Sequence, residues 1–356
     1  MRLHLVGGFL GSGKTTAIIQ ASRRLMRRGL RVGVVTNDQG RYLVDTAFFR
    51  LSDIPAVEVT GGCFCCNYAD LDQSLDQLVE SARPDVIFAE SVGSCADLVA
   101  TVVKPLLALK AAEASPASFS VFTDARLLRR RLLDQPLPFS EDVIYIFDKQ
   151  IEEAGLVVVN KADLLDEAAL EETVSLLHAR FPGKAVLAQN SLAEDGVDPW
   201  LARLEAGAAL LAQASLEIDY ARYGRGEAQL AWLDEVVTLE AGQADAGEAV
   251  ERVVVALVDG LTDKKAGIGH LKFIISGDGV EEKLSIPSLE EPGWRERFPM
   301  HLGLRASLLA NARVEMEAQE LRDLFTAALT ACGAAVTESG VDYFNPGQPN
   351  PTHRYP

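Results

Sequence analysis

Three cysteines stand within four positions, Cys63, Cys65 and Cys66 in Gly61-Gly62-Cys63-Phe64-Cys65-Cys66, downstream of a complete phosphate-binding loop, Gly8-Phe9-Leu10-Gly11-Ser12-Gly13-Lys14-Thr15. The first set suits a soft metal and the second a nucleotide. In the loop, Gly8, Gly11 and Gly13 let the backbone turn its N–H groups inward, with Ser12 completing the cradle. Lys14 reaches the β- and γ-phosphates, Thr15 ligates Mg²⁺, and Thr16 is placed for the α-phosphate. The loop falls between an apolar run, Leu3 to Val6, and a segment of helical spacing from Lys14 to Arg28, which is the context the motif needs.

Asn160-Lys161-Ala162-Asp163 directly follows Leu156-Val157-Val158-Val159 and so sits at the carboxyl end of a strand, where open α/β sheets bind ligands. The Asp163 carboxylate can accept from both N1–H and the exocyclic amine of guanine, whereas adenine offers it the wrong partners. Two further carboxylates end strands. Glu90 opens Glu90-Ser91-Val92-Gly93 and is read as a Mg²⁺ support or water-orienting group; Asp38, in Asn37-Asp38-Gln39-Gly40, can position the attacking water or support the metal.

Cys63, Cys65 and Cys66 precede a predicted helix, whose dipole would favour the thiolate, the metal-binding form. Three sulfurs suit Zn²⁺ or Cu⁺ and also accept Co²⁺ or Fe²⁺, leaving a fourth position open, as transfer requires. A structural zinc would draw on a second cysteine pair, and the sequence holds none. Cys95 and Cys332 are isolated in sequence and read as small core residues. The five histidines are scattered; His353, near the end, is the one considered for contact with metal or partner.

These groups need strands to hold them. Strand-like runs at Leu3–Val6, Arg31–Thr36, Ala56–Thr60, Asp85–Ala89, Ser118–Thr123, Leu156–Val159 and Ala185–Ala188 alternate with helical stretches at 14–28, 71–82, 126–133, 142–153 and 199–213. The rhythm predicts a doubly wound, mainly parallel α/β domain over residues 1–214. It breaks at 215–228, read as a linker. Residues 229–344 then predict a smaller α+β domain of split-βαβ type, with strands near 231–239, 270–275, 283–286 and 306–314 and helices at 247–258 and 318–331. Residues 345–356 form a Pro-rich tail.

A formal charge of −17 over 356 residues opposes binding to nucleic acid or anionic lipid, and no apolar stretch approaches the roughly 18 residues of a membrane helix. Five cysteines in this arrangement make no disulfide framework. A cytoplasmic setting is expected.

In the order Gly7-Gly8-Phe9-Leu10-Gly11-Ser12-Gly13-Lys14-Thr15-Thr16, Gly62-Cys63-Phe64-Cys65-Cys66, Glu90-Ser91-Val92-Gly93 and Asn160-Lys161-Ala162-Asp163, the first 214 residues resemble the CobW-type branch of the SIMIBI P-loop GTPases, relatives of the HypB and UreG metallochaperones. The resemblance implies GTP hydrolysis coupled to the handling of a transition metal, Zn²⁺ or Co²⁺, with the cysteine loop in a nucleotide-responsive switch. Its implied partners are GTP and a client metalloenzyme or cofactor-loading protein; a homodimer is allowed for. Two other readings stay open: a GTPase activator of a cobalt- or corrinoid-dependent enzyme that carries no metal, and a non-catalytic metal or redox sensor. Many relatives carry a histidine-rich stretch, and this chain does not.

Overall fold

The computed structural model describes residues 1–40, 44, 48–49, 52–110, 116–207, 210–211, 214–290, 293–298 and 301–356. The chain divides into two compact units, one of Met1–Gln39, Asp45–Gly226 and Gln348–Pro356, the other of Gly40–Val44 and Glu227–Gly347.

The first unit is built on seven parallel strands: β1 (Arg2–Gly8), β2 (Val32–Asn37), β3 (Ala56–Val59), β4 (Val86–Glu90), β5 (Pro116–Asp124), β6 (Leu156–Asn160) and β7 (Ala185–Gln189), in the order β3-β2-β4-β1-β5-β6-β7. Strands such as Val86–Glu90 and Leu156–Asn160 are buried at every residue, the pattern of a parallel sheet covered on both faces. The covering helices are α1 (Lys14–Arg27), α2 (Tyr68–Ala82), α3 (Lys104–Leu109, continuing a π-helical turn at Val99–Val103), α4 (Ala125–Leu132), α5 (Glu141–Glu153), α6 (Glu167–Arg180) and α7 (Asp198–Glu205). On α1, Ala17, Ile18, Ala21 and Leu25 recur at helical spacing and pack with Val34, Phe88, Phe122, Val158 and Trp200 in one core.

The strand order places β4 between β1 and β2, so the strand after α1 is not the immediate neighbour of β1. The consequence is functional. β1 lies between β4 and β5, where the chain switches from one side of the sheet to the other, and the ends of β1, β2, β4, β5 and β6 meet at the carboxyl edge.

Two expectations need revision. The closing helix expected at 199–213 stops at Glu205; Leu210 instead forms a parallel bridge to Ser118, accepting from Phe119 N–H at 2.8 Å. The expected linker is helical over Tyr220–Ala228 (α8). Asp219 supports that start by accepting from the N–H groups of Ala221 and Arg222 at 2.9 and 3.1 Å.

The second unit holds β8 (Leu230–Glu240), α9 (Ala246–Asp263), β9 (Gly267–Gly277), β10 (Val280–Ile286), β11 (Arg305–Glu315), α10 (Ala318–Ala331) and β12 (Ala335–Phe344). Its antiparallel order, β10-β9-β11-β8-β12, is a split βαβ arrangement to which the β9–β10 hairpin adds an edge strand. Asp278 and Gly279, both at positive φ (46° and 78°), make the two-residue turn of that hairpin. Strand β12 escaped the sequence pattern because its residues are mostly exposed. The apolar faces of α9 and α10 pack on the sheet, and Cys332 is wholly buried in that core, as a packing residue should be.

Candidate functional site

The phosphate loop closes β1 and opens α1. Gly8 and Gly13 sit at φ 125° and 90°. A Cβ on Gly8 would come within 2.1 Å of the Phe122 carbonyl oxygen, and one on Gly13 within 2.4 Å of Asn160 Nδ2. Both positions therefore demand glycine, and the loop's path is set by β5 and β6. The Lys14 ammonium donates to the carbonyl oxygens of Gly8 at 2.7 Å and Phe9 at 3.2 Å, which holds it across the loop. Beside it the Thr15 hydroxyl donates to Glu90 Oε1 at 2.8 Å, and both side chains are buried. Thr16 is half-buried on the first turn of α1, a turn without acidic residues to oppose an anion.

At the other end of the sheet edge, Asn160 does not point outward. Its amide donates to Ser12 O at 2.8 Å, and its carbonyl accepts from Ser191 N–H at 3.2 Å and Ser191 Oγ at 2.7 Å. Asn160 thus braces the phosphate loop. Lys161, at φ 58°, places its ammonium 2.8 Å from Asp124 Oδ2 at the end of β5. Burial alone would raise the Asp124 carboxyl, but Lys161 and Arg126 outweigh it and hold the group below the usual carboxylate range. Asp163 lies exposed in the short 3₁₀ turn Ala162–Leu164.

Asp38 follows β2, half-buried, with its N–H donating to Val59 O at 3.2 Å. Its neighbour does more. The buried Asn37 amide donates to Val59 O at 3.1 Å and Gly62 O at 2.7 Å, while its carbonyl accepts from Phe64 N–H at 2.8 Å. The end of β2 therefore holds the cysteine loop from both sides.

In that loop the Sγ atoms of Cys63 and Cys65 are 2.7 Å apart, those of Cys65 and Cys66 are 3.8 Å apart, and all three lie within 4.8 Å of one another. Cys63 and Cys65 are buried and Cys66 is partly exposed. Hydrogen bonds from Cys65, Cys66 and Cys95 pull the Cys63 thiol well below its ordinary value. The same sharing pushes Cys65 well up and Cys66 up to about 11. The neighbouring thiols thus favour the charged form at Cys63. Cys95, read as a small core residue, is almost wholly buried on the segment that follows β4.

The carboxyl-terminal residues pack on this loop. Asn350 N–H donates to Cys66 Sγ at 3.3 Å, and Thr352 donates through its N–H to Cys65 O and through its hydroxyl to Cys66 O, both at 2.8 Å. His353 stands edge-on to Tyr68 with ring centroids 4.9 Å apart. Arg354 pairs with the buried Asp97 at 2.7 Å. The roles of Asn37 and Asp124 were not legible in sequence, since each acts through a partner distant along the chain and the only local signal was a polar residue at a strand end; of the tail, sequence singled out His353 but not Asn350 or Thr352.

Among the described residues no helix is long and apolar enough to cross a membrane. Residues 2–188 match the family model described as the CobW/HypB/UreG nucleotide-binding domain. The chain is 28% identical over 206 residues to the zinc chaperone CobW of a Sinorhizobium species, covering 51% of this chain and 57% of that protein. It is 31% identical over 169 residues to the zinc chaperone YeiR of Escherichia coli K12, covering 46% and 47%. The chain thus spans about half the length of these relatives. Among solved structures, HypB from Helicobacter pylori in complex with nickel is similar with a TM-score of 0.44 and 15% identity, covering 61% of this chain and 92% of that one. With the phosphate loop, the strand-end carboxylates and the cysteine cluster in the family's order, the chain belongs to the CobW/HypB/UreG family of P-loop GTPases.

Proposed function

We propose that the chain is a GTP-hydrolysing metallochaperone that takes a transition metal, zinc or cobalt, at its cysteine loop and delivers it to a client metalloenzyme or cofactor-loading protein. One observation carries the reading: Asn37, next to Asp38 at the nucleotide edge of the sheet, is bonded directly to Gly62 and Phe64 around the first cysteine. A change at the phosphates that moves the end of β2 must move the thiols with it.

In this reading the loop amides and Lys14 stabilise charge on the transferring phosphoryl group. Thr15 on the phosphate loop and Glu90 at the end of β4 present two oxygens side by side, a donor set suited to Mg²⁺, which would supply charge neutralisation between the β- and γ-phosphates. Asp38 or Glu90 orients the attacking water. Asp163, exposed beyond β6, takes the guanine edge; Asn160 and Lys161 hold the loops that frame it. Reduced thiols at the cysteine loop fit a cytoplasmic setting.

The test is the metal affinity of the full chain with GDP and with a non-hydrolysable GTP analogue, read by competition with a chromogenic chelator. A difference between the two states is expected. Equal affinities would overturn the coupling, because a ligand that binds both states alike shifts neither. Lys14→Ala is expected to abolish GTP turnover while metal uptake persists.

A further inference from the structure

Residues 350–355 cross the cysteine loop, and their exposure alternates residue by residue, the two-residue period of an extended chain. Their contacts fall into two groups. Over the loop, the Asn350 N–H reaches Cys66 Sγ, the partly exposed thiol, and Thr352 reaches the carbonyl oxygens of Cys65 and Cys66. Beyond the loop, Tyr355 N–H donates to Ala100 O at 2.9 Å, and the Ser215 hydroxyl donates to Tyr355 O at 2.8 Å. The Arg354 guanidinium donates to Leu216 O at 2.8 Å and to Asp97 Oδ2 at 2.7 Å. One groove, from Cys66 to Asp97, thus holds one extended segment.

Asp97 decides what can lie there. Its side chain is 1% exposed, the Tyr220 hydroxyl donates to the same Oδ2 at 2.7 Å, and Oδ1 has no hydrogen-bond partner among the described residues. Arg354 supplies the opposing charge. A buried carboxylate stripped of its cation is strongly disfavoured, so any segment that replaces the tail must bring a cation of its own. A guanidinium fits best, because its fork reaches the carboxylate and a neighbouring carbonyl together, as Arg354 does. Asp97 is also well anchored. It lies on the segment that leaves β4 at Glu90, where Gln150 Nε2 donates to Gly93 O at 3.0 Å and Cys95 O at 2.9 Å. A Cβ on Gly93 would stand 3.0 Å from the Leu10 nitrogen, so this segment packs directly on the phosphate loop.

We propose that this groove is the docking site of the acceptor protein, and that residues 350–355 fill it as a tethered copy of the acceptor's own segment: an extended stretch with a hydroxyl residue two positions before an arginine. This rests on the metal-carrying reading above. Handover needs an acceptor's ligand beside Cys66, and the tail covers that thiol until it is displaced. Displacement exchanges like for like: the incoming hydroxyl and N–H replace those of Thr352, and the incoming guanidinium replaces that of Arg354. No covalent bond changes.

The test uses a fluorescent peptide with the sequence Gln348 to Pro356 and the full chain carrying Arg354→Ala, which loosens the chain's own tail. Anisotropy should show binding. The same peptide with alanine in place of its arginine should bind roughly 10–100-fold more weakly, the worth of a lost charged hydrogen bond. On the full chain carrying Asp97→Asn, the two peptides should bind alike. Equal binding of both to the Arg354→Ala chain, or binding of neither, would overturn the docking site. Retained GTP binding shows that each variant is folded. Thr352→Pro removes both donors to the loop and leaves Asp97 paired, so it decides the matter should Arg354→Ala not fold. Zinc should pass to a chelator faster from either variant than from the wild-type chain, and excess unlabelled peptide should slow it again in Arg354→Ala. An unchanged rate in Thr352→Pro would remove the tail from the path of the metal and overturn the proposal. If the wild-type chain takes up no zinc, the metal-carrying reading falls, and peptide binding still decides whether the groove is a docking site.

Discussion

The backbone N–H of Phe64 donates to the side-chain carbonyl of Asn37 at 2.8 Å, joining the centre of the cysteine loop to the last residue of β2. The same amide reaches Gly62 O. One buried side chain therefore satisfies backbone groups on both sides of Cys63, and a shift at the nucleotide edge has a rigid path to the thiols.

Asn37→Ala removes all three side-chain bonds and leaves the Phe64 N–H and the Gly62 carbonyl without that partner, costing about 1–3 kcal/mol for each orphaned group. Denaturant unfolding should show that loss. The informative measurement is the difference in metal affinity between GDP and GTP-analogue states. It should shrink toward zero in this variant, and persistence at the wild-type size would mean that the coupling runs elsewhere.

Thr15 and Glu90 offer a second separable effect. Glu90→Gln keeps an oxygen to accept from the Thr15 hydroxyl but removes the charge that supports a divalent cation. GTP turnover should fall and the Mg²⁺ concentration for half-maximal rate should rise, with the melting temperature little changed. An unchanged Mg²⁺ requirement would leave the carboxylate a purely structural acceptor.

Asp163→Asn should redirect base preference. An amide presents one donor and one acceptor where the carboxylate presents two acceptors, so it mismatches guanine and matches xanthine, whose C2 carries an oxygen. Each charged hydrogen bond lost is worth about 1.5–3 kcal/mol, or roughly 10–100-fold in affinity. Competition of XTP against GTP checks this, and a variant that still prefers GTP would remove Asp163 from the base site.

What could be read from sequence was what contiguous residues decide. The phosphate loop and Asn160-Lys161-Ala162-Asp163 carry their backbone geometry within a few positions, and the unbroken apolar runs that open β4 and β6 announce a parallel sheet. The partners were not readable. Asn160 was expected at the base and instead braces Ser12, because β5 and β6 bring their ends to the loop only once the sheet is assembled. Cys95 lies 30 positions beyond Cys65, and only the placement of β4 beside β2 brings their loops to one edge. Strand β12 shows no alternation because it is an edge strand with little burial to enforce one.

The centre of β1 predicts a pH dependence. Burial, aided by the charge of Arg2, lowers His4 from 6.5 to about 4, and its Nδ1 lies 2.8 Å from Ser118 Oγ. In the unfolded chain the imidazole takes up its proton near pH 6.5, in the folded chain only near 4, so the unfolded state holds more protons between them. Stability therefore falls as pH drops from about 6.5 to about 4, by about 3 kcal/mol in all from this group. His4→Gln should flatten that part of the stability profile relative to wild type; identical slopes would show that His4 titrates normally in the fold.

The tail makes the last test. Deleting residues 348–356 removes the two bonds from Thr352 to the carbonyls of Cys65 and Cys66 and the Asn350 N–H that stabilises Cys66 as thiolate. Amide hydrogen exchange over residues 61–67 should quicken while the phosphate loop, held by Asn160 and β5, keeps its protection. Bound zinc should leave faster as well, because an N–H donor to a ligand sulfur favours its charged form. If exchange and metal release are both unchanged, the tail merely rests on the loop; if release alone quickens, its contribution is the single hydrogen bond to Cys66 rather than the ordering of the loop.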